Sequence, residues 1–184
     1  MGVQGKRPLR RPREEYAEPD LIIDVESIIR SAVDNNNVDG KGNLLLDKIA
    51  EENQINVVYE DLPSAQSGYF RSRGSQYTIG INSKHNRRRQ RFTFAHELGH
   101  FFLHKDKKDV EYQDEVFYRI DNSSSIEYAA NEFAARLLMP EERVRKQIEA
   151  GMTSLDKLAD YFEVSLEAMK YRVLSLNYTI STNE

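Results

Sequence analysis

The segment 92–103 constrains the fold most, because its side chains are apolar nearly all the way round a helix. These apolar side chains are Phe92, Phe94, Ala95, Leu98, Phe101, Phe102 and Leu103. A helix without a polar face is buried, so the rest of the chain must pack around it. The same segment carries His96, Glu97 and His100. Burial of these groups is unfavourable unless they share a partner such as a metal ion.

The spacing of the two histidines is that of a zinc site. His96 and His100 are four residues apart, so both imidazoles project from one helix face about one turn apart and can bind one tetrahedral Zn²⁺. Glu97 then lies beside the ion, where its carboxylate can take a proton from a bound water. The pattern predicts a hydrolytic zinc centre. The alternative is a pair of surface histidines on an ordinary helix.

A catalytic zinc ion needs a third protein ligand and an open fourth position. His104 follows at the same spacing, but eight helical residues from His96 correspond to a rise of about 12 Å. No glycine follows His100 to break the helix. We therefore expect His104 to pack near the site or to support a ligand, and not to bind the ion itself.

A second helix, expected to be capped by the serines at 123–125 and to run to Leu138, offers a better third ligand. Glu127 shares a helical face with Asn131 and with small side chains such as Ala130, which allow close packing on the first helix. Glu132 is instead spaced to form an exposed ion pair with Arg136. Helical phase therefore favours Glu127 as the ligand, and it places Asn131 where it can hydrogen-bond to a ligand.

The remaining pattern predicts an α+β fold with a small, mostly antiparallel sheet packed on helices. Two helices are expected before residue 51, and the charged stretch 105–114 is expected to be a loop. Further helices are expected after the one that carries Glu127, over residues 140–150, 153–162 and 165–174. The predicted strands are 55–59, 68–71, 76–81 and 116–118.

The composition is that of a soluble globular protein, with 39% hydrophobic and 30% charged residues. The chain has no cysteine, which excludes disulfides and thiolate ligands and predicts a cytoplasmic location. No apolar run approaches the roughly 20 residues that span a bilayer, so no membrane partner is expected. The net charge of -4 gives no general reason to expect nucleic-acid binding.

Two motifs together resemble the ImmA/IrrE family of metallopeptidases. They are residues 91–104, around the two histidines, and residues 127–140, which read Glu-x-x-Ala-Asn-x-Phe-Ala-Ala-x-Leu-Leu-Met-Pro. The resemblance covers roughly residues 21–175 and implies a zincin-like fold. Carried over by position, it implies His96, His100 and Glu127 as zinc ligands and Glu97 as the general base.

The resemblance also implies a substrate class. Members of this family cleave helix-turn-helix repressors and so release genes of mobile elements or of DNA-damage responses. We therefore expect a zinc endopeptidase that acts on a DNA-binding repressor. The strand near residues 77–82 could bind the substrate if it lies at the edge of the sheet. Tyr118 and His104 are candidates for stabilising the oxyanion. The alternative is a non-catalytic, metal-containing regulator that sequesters a repressor or a toxin or antitoxin partner.

Four regions are expected: a flexible basic arm over 1–19, a metallopeptidase domain over 20–150, a helix-turn-helix-like region over 151–176 and a tail over 177–184. The third region has Glu163 where such turns often carry glycine, and its second helix mixes Lys170 and Arg172 with Glu167. These features favour a packing or substrate-docking unit over DNA reading. Residues 84–91 form a basic cluster. It is either a docking site for an acidic partner or for nucleic acid, or the solvent-exposed start of a helix with no binding role.

Overall fold

The computed structural model describes residues 1–6, 24–104, 111–114 and 125–181, and these form an α+β fold, as predicted. The helices are α1 (Val25–Asp34), α2 (Leu46–Glu52), α3 (Arg87–His104), α4 (Ser125–Leu138), α5 (Glu141–Glu149), α6 (Leu155–Phe162) and α7 (Leu166–Ser175). The strands are β1 (Gly2–Lys6), β2 (Ile55–Glu60), β3 (Gly68–Arg73), β4 (Gln76–Asn82), β5 (Glu111–Asp114) and β6 (Tyr178–Ser181). No helix in these ranges combines the length and the apolarity that a membrane span requires.

The main sheet has the strand order β2-β4-β3-β5. The β3–β4 hairpin and the β3–β5 pair are antiparallel, whereas β2 runs parallel to β4. This arrangement differs from expectation in two ways. β4 lies inside the sheet and has no open edge to dock a substrate. β5 lies in the stretch 105–114, for which a loop was predicted. Residues 111–114 form a strand because they pair with β3, and the local sequence does not reveal such a partner. The predicted strand 116–118 lies outside the described residues.

Helix α3 packs across one face of this sheet and against α4. Phe70 and Ile79 of the sheet are fully buried, as is Leu98 on the helix. On its other side α3 approaches α4 closely at Gly99, where an added β-carbon would lie 3.1 Å from the Cα atom of Ala130. The missing side chain thus lets the two helices nearly touch.

The chain differs from expectation near both of its ends. β1 pairs antiparallel with β6, within segments predicted as a flexible arm and a tail. The side chain of Val3 is buried, and its N–H donates to the carbonyl of Thr153 at 2.6 Å. Composition suggested disorder, but this backbone pairing and one buried valine order residues 2–6. Residues 7–19 and 182–184 of those two segments lie outside the described part.

Helices α6 and α7 are joined by only three residues. Glu163 adopts the left-handed conformation (φ 56°) that glycine often supplies at such turns. Ser165 then caps α7 by accepting a hydrogen bond from the N–H of Ala168 at 3.1 Å. Arg172 of α7 is buried, and its Nε donates to the carbonyl of Met139 at 2.9 Å, just beyond the end of α4. One of the two basic residues of α7 therefore stabilises the fold.

The basic cluster at 84–91 makes contacts largely within the protein itself. Lys84 forms an ion pair with Asp61, and Arg88 pairs with Asp160. Two further arginines of the cluster turn inward: Arg89 donates to Ser67 Oγ at 2.8 Å, and Arg91 donates to the carbonyl of Leu44 at 3.1 Å. These contacts favour a structural role for the cluster over a nucleic-acid surface.

Candidate metal centre

Helix α3 holds the two histidines inside the protein. It begins after Asn86, whose side-chain oxygen accepts a hydrogen bond from the N–H of Arg89 at 3.0 Å. The apolar side chains predicted burial, and the structure agrees: Leu98 is fully buried, and both His96 and His100 are 1% exposed. The site is therefore built on a rigid, buried element, and its imidazoles are shielded from bulk water.

Three side chains converge on one point between α3 and α4. The Nε2 atoms of His96 and His100 are 3.0 Å apart. The Oε2 atom of Glu127 lies 3.2 Å from Nε2 of His96, and Oε1 lies 3.4 Å from Nε2 of His100. Bonds of about 2.0–2.1 Å in a tetrahedron place neighbouring ligand atoms about 3.3–3.4 Å apart. The distances between the donor groups are therefore close to those expected around one zinc ion.

Asn131 determines which ring nitrogen of His96 carries a hydrogen. The Nδ1 atom of His96 lies 3.0 Å from Oδ1 of Asn131. An amide oxygen only accepts, so Nδ1 carries the hydrogen, and Nε2 is the ring nitrogen that faces the other donors. A hydrogen bond of this kind orients ligating histidines in metal sites. The residues present thus fit a metal in both chemistry and geometry.

Glu127 supplies the charge of the site. Burial alone would raise its carboxyl pKa, but hydrogen bonds with His100 and His96, and the charge of these rings, hold the pKa well below its usual range. The carboxylate is therefore ionised, the form that binds a cation. Its side chain is 29% exposed, whereas each histidine is 1% exposed. The centre is thus more accessible to solvent from the α4 side than from α3.

Glu97 follows His96 in sequence but is not one of the three donors. Among the described residues, the group that can hold an ion consists of His96, His100 and Glu127. Glu97 is fully buried, and it lies against the first residue of β3, Gly68, where an added β-carbon would be 3.1 Å from its Oε1. A buried carboxylate next to a metal group has the placement expected of a general base.

The sequence prediction differs from the structure around this site in several details. His104 is the last residue of α3, but its side chain, like the whole of Tyr118, lies outside the described part. Glu132 does not pair with Arg136 as predicted: its Oε1 accepts a hydrogen bond from Tyr171 at 2.8 Å. Arg136 instead donates to both carboxylate oxygens of Glu26, at 2.8 and 2.7 Å. Helical spacing pointed to a local pair, but partners on neighbouring helices replaced it.

The contact between Gly68 and Glu97 was not foreseen from sequence. A glycine at the start of a predicted strand was the available signal, because glycine in strands often marks a close approach of other groups. The pattern did not show which group approaches, since the answer depends on how α3 crosses the sheet.

Comparison with known proteins gives two findings. A family model described as the IrrE N-terminal-like domain of the M78 peptidases matches residues 50–174. The metallopeptidase ImmA of Bacillus subtilis (strain 168) is 27% identical over 166 residues, which cover 86% of each chain. The matched range contains both helices that carry the metal-binding group. The chain therefore belongs to the IrrE N-terminal-like family of M78 peptidases and is a metallopeptidase of the ImmA/IrrE type.

Proposed function

We propose that this metallopeptidase is a zinc-dependent endopeptidase that cleaves a helix-turn-helix transcriptional repressor in the cytoplasm. The observation that carries the proposal is the convergence of His96, His100 and Glu127. The two Nε2 atoms are 3.0 Å apart, and a carboxylate oxygen of Glu127 lies 3.2 Å from one and 3.4 Å from the other. Two imidazoles and one carboxylate form the ligand set of many zinc peptidases. The repressor as substrate rests on the resemblance to the ImmA/IrrE family, and the cytoplasmic location rests on the absence of cysteine.

Each residue has a distinct role in the proposed mechanism. His96, His100 and Glu127 would hold Zn²⁺, which when bound supplies an acidified water and polarises the scissile carbonyl. Glu97 accepts the proton of the attacking water and passes it to the leaving nitrogen. Asn131 keeps the His96 ring in the tautomer whose Nε2 is a donor.

The edge of the sheet offers a place for the substrate chain. β5 pairs with β3 on one side, and within the described ranges no strand pairs with its other side. Asp114 of β5 is aligned with Gly68, which lies against Glu97. A substrate segment added to β5 would therefore run near the catalytic carboxylate, and its backbone would supply the binding energy.

The direct test is cleavage of a repressor by the zinc-loaded protein. The first substrate to try is a helix-turn-helix repressor, chosen from the genes that flank this one where they encode such a protein, with fragments identified by mass spectrometry. We expect one defined cut by the wild type. We expect a rate at least about 100-fold lower for Glu97→Gln, because the amide cannot accept the proton.

The matched control is the zinc content, which must be the same in both proteins because Glu97 is not a ligand in this scheme. Cleavage by Glu97→Gln at the wild-type rate would reject the role of this residue. A zinc-loaded wild type that binds the repressor and never cuts it would instead support a sequestering regulator.

A further inference from the structure

The backbone at Gly68 leaves no room for a side chain on the face toward α3. An ideal β-carbon there would lie 2.5 Å from Cγ2 of Thr93, 2.7 Å from the carbonyl oxygen of Gly80 and 3.1 Å from Oε1 of Glu97. Gly68 is not among the described glycines with positive φ, so its backbone conformation does not require glycine. Glycine is required instead by the close approach of Thr93, the Gly80 carbonyl and Glu97.

Thr93 completes this contact from the helix side. It lies one turn before Glu97 on α3, so the two side chains share a helical face, and both are fully buried. Its γ-methyl group is the nearest atom to the missing side chain of Gly68. Its hydroxyl has no hydrogen-bond partner within the described ranges. A threonine side chain is stiff at χ1, so its methyl group has a fixed position and makes the steric contact, which we call the methyl wall. The hydroxyl is not needed for this contact.

We infer that Gly68 and Thr93 are positioning residues that hold the carboxylate of Glu97 in place for proton transfer. The inference rests on the proposed role of Glu97 as the base. A glutamate side chain has rotatable bonds that must be fixed before its carboxylate can meet a water at a defined point. Here the Thr93 methyl group and Oε1 of the Glu97 carboxylate lie against the same point of the strand, the bare Cα of Gly68. A displacement of only about 1 Å at such a group can cost about 100-fold in rate.

The first test is Gly68→Ala in the full chain loaded with zinc. The new methyl group must displace Thr93, Glu97 or the strand itself. We expect unchanged zinc content and KM, and a kcat about 10- to 100-fold lower. A crystal structure of the zinc-loaded variant should show the Glu97 carboxylate moved from its wild-type position. An unmoved carboxylate, or an unchanged kcat, would overturn the inference.

A pair of substitutions at Thr93 separates its methyl group from its hydroxyl, and it provides the test if Gly68→Ala does not fold. Thr93→Val keeps the methyl wall and removes the hydroxyl, so kcat should stay within about twofold of wild type. Thr93→Ser keeps the hydroxyl and removes the wall, so kcat should fall several-fold at unchanged KM. The opposite order, or equal rates, would contradict the steric role.

The crystal structures keep this test independent of the proposed activity. If the zinc-loaded wild type cleaves nothing but the carboxylate moves in Gly68→Ala, the contact stands and the proposed function fails. If the wild type cleaves and the carboxylate stays in place in both Gly68→Ala and Thr93→Ser, the positioning role fails and the proposed function stands.

Discussion

Asn131 on α4 accepts a hydrogen bond from Nδ1 of His96 on α3 across 3.0 Å. Asn131 lies one helical turn after Glu127, so a single face of α4 supplies the third donor of the site and the group that orients the first. The position of α4 against α3 therefore sets both the charge and the tautomer of the centre.

Removal of this hydrogen bond should weaken metal binding. We expect Asn131→Ala to lower zinc affinity about 10- to 100-fold, because the His96 ring loses the acceptor that fixes its tautomer. Competition with a chromophoric chelator measures the affinity. Glu132→Gln is the matched control, since Glu132 is the next residue on α4 and contacts Tyr171. Equal affinities for Asn131→Ala and wild type would show that the hydrogen bond is dispensable.

Metal removal should destabilise the folded protein. A ligand at 100 times its Kd stabilises the native state by about 2.7 kcal/mol, so a chelator should lower the melting temperature measured by circular dichroism. The decrease should vanish in His100→Ala, which lacks one of the three donors. A chelator effect of the same size in that variant would mean that the ion binds elsewhere.

The close approach of α3 and α4 makes Gly99 sensitive to substitution. Gly99→Ala places a methyl group 3.1 Å from Cα of Ala130 and 3.2 Å from its carbonyl oxygen, which overpacks a contact between two backbones. We expect a loss of about 1–3 kcal/mol in the free energy of unfolding, together with weaker zinc binding because the helices move apart. Urea denaturation of the metal-free protein separates the two effects. Gly40→Ala, where no atom lies within 4 Å of the added β-carbon, is the control.

The buried guanidinium of Arg172 should contribute to stability and not to DNA binding. Arg172→Met keeps much of the side-chain length but leaves the carbonyl of Met139 without this donor, so we expect a loss of about 1–3 kcal/mol in the free energy of unfolding. Lys170→Met changes an exposed cation on the same helix and should have little effect. If the wild type binds duplex DNA in a salt-dependent way and Lys170→Met weakens that binding, α7 would instead have a role in nucleic-acid binding.

Asp39 should make stability depend on acid pH. Burial tends to raise its pKa, but the N–H groups of Asn43 and Lys41, each 2.8 Å from Oδ1, hold the pKa below its usual value of 3.8. The ionised form is favoured in the folded state, so its contribution is present above pH 3.8 and is lost as pH falls through the lower folded-state pKa. Asp39→Asn should therefore be less stable than wild type by roughly 1 kcal/mol at pH 7. The difference should shrink as pH falls below 3.8, and urea titrations at pH 7 and in this acid range check it.

Local periodicity was sufficient for much of the site. The four-residue spacing placed His96 and His100 on one face, and the 3.6-residue period selected Glu127 over Glu132 without knowledge of the fold. The prediction of α3 as buried also followed from its side chains alone. These features depend on one helix at a time, which is why sequence reveals them.

Features that depend on a distant partner were missed. β5 and β1 have no strong strand pattern of their own, and each is a strand because β3 or β6 pairs with it. β4 lies inside the sheet because the parallel strand β2 covers one of its sides. The role of Gly68 was hidden for the same reason, since only the crossing of α3 over the sheet brings Glu97 to it.

The contact between Gly99 and Ala130 has a consequence for the choice of ion. The space between Gly99 and Ala130 is too small even for a methyl group, so the helices have little room to move closer, and a wider separation would open a void in a close-packed interior. The spacing of the three donors is thus fixed at a value that suits bonds of about 2.0–2.1 Å. Ca²⁺ requires about 2.3–2.6 Å and six to eight oxygen ligands, so an excess of calcium should neither displace zinc nor raise the melting temperature.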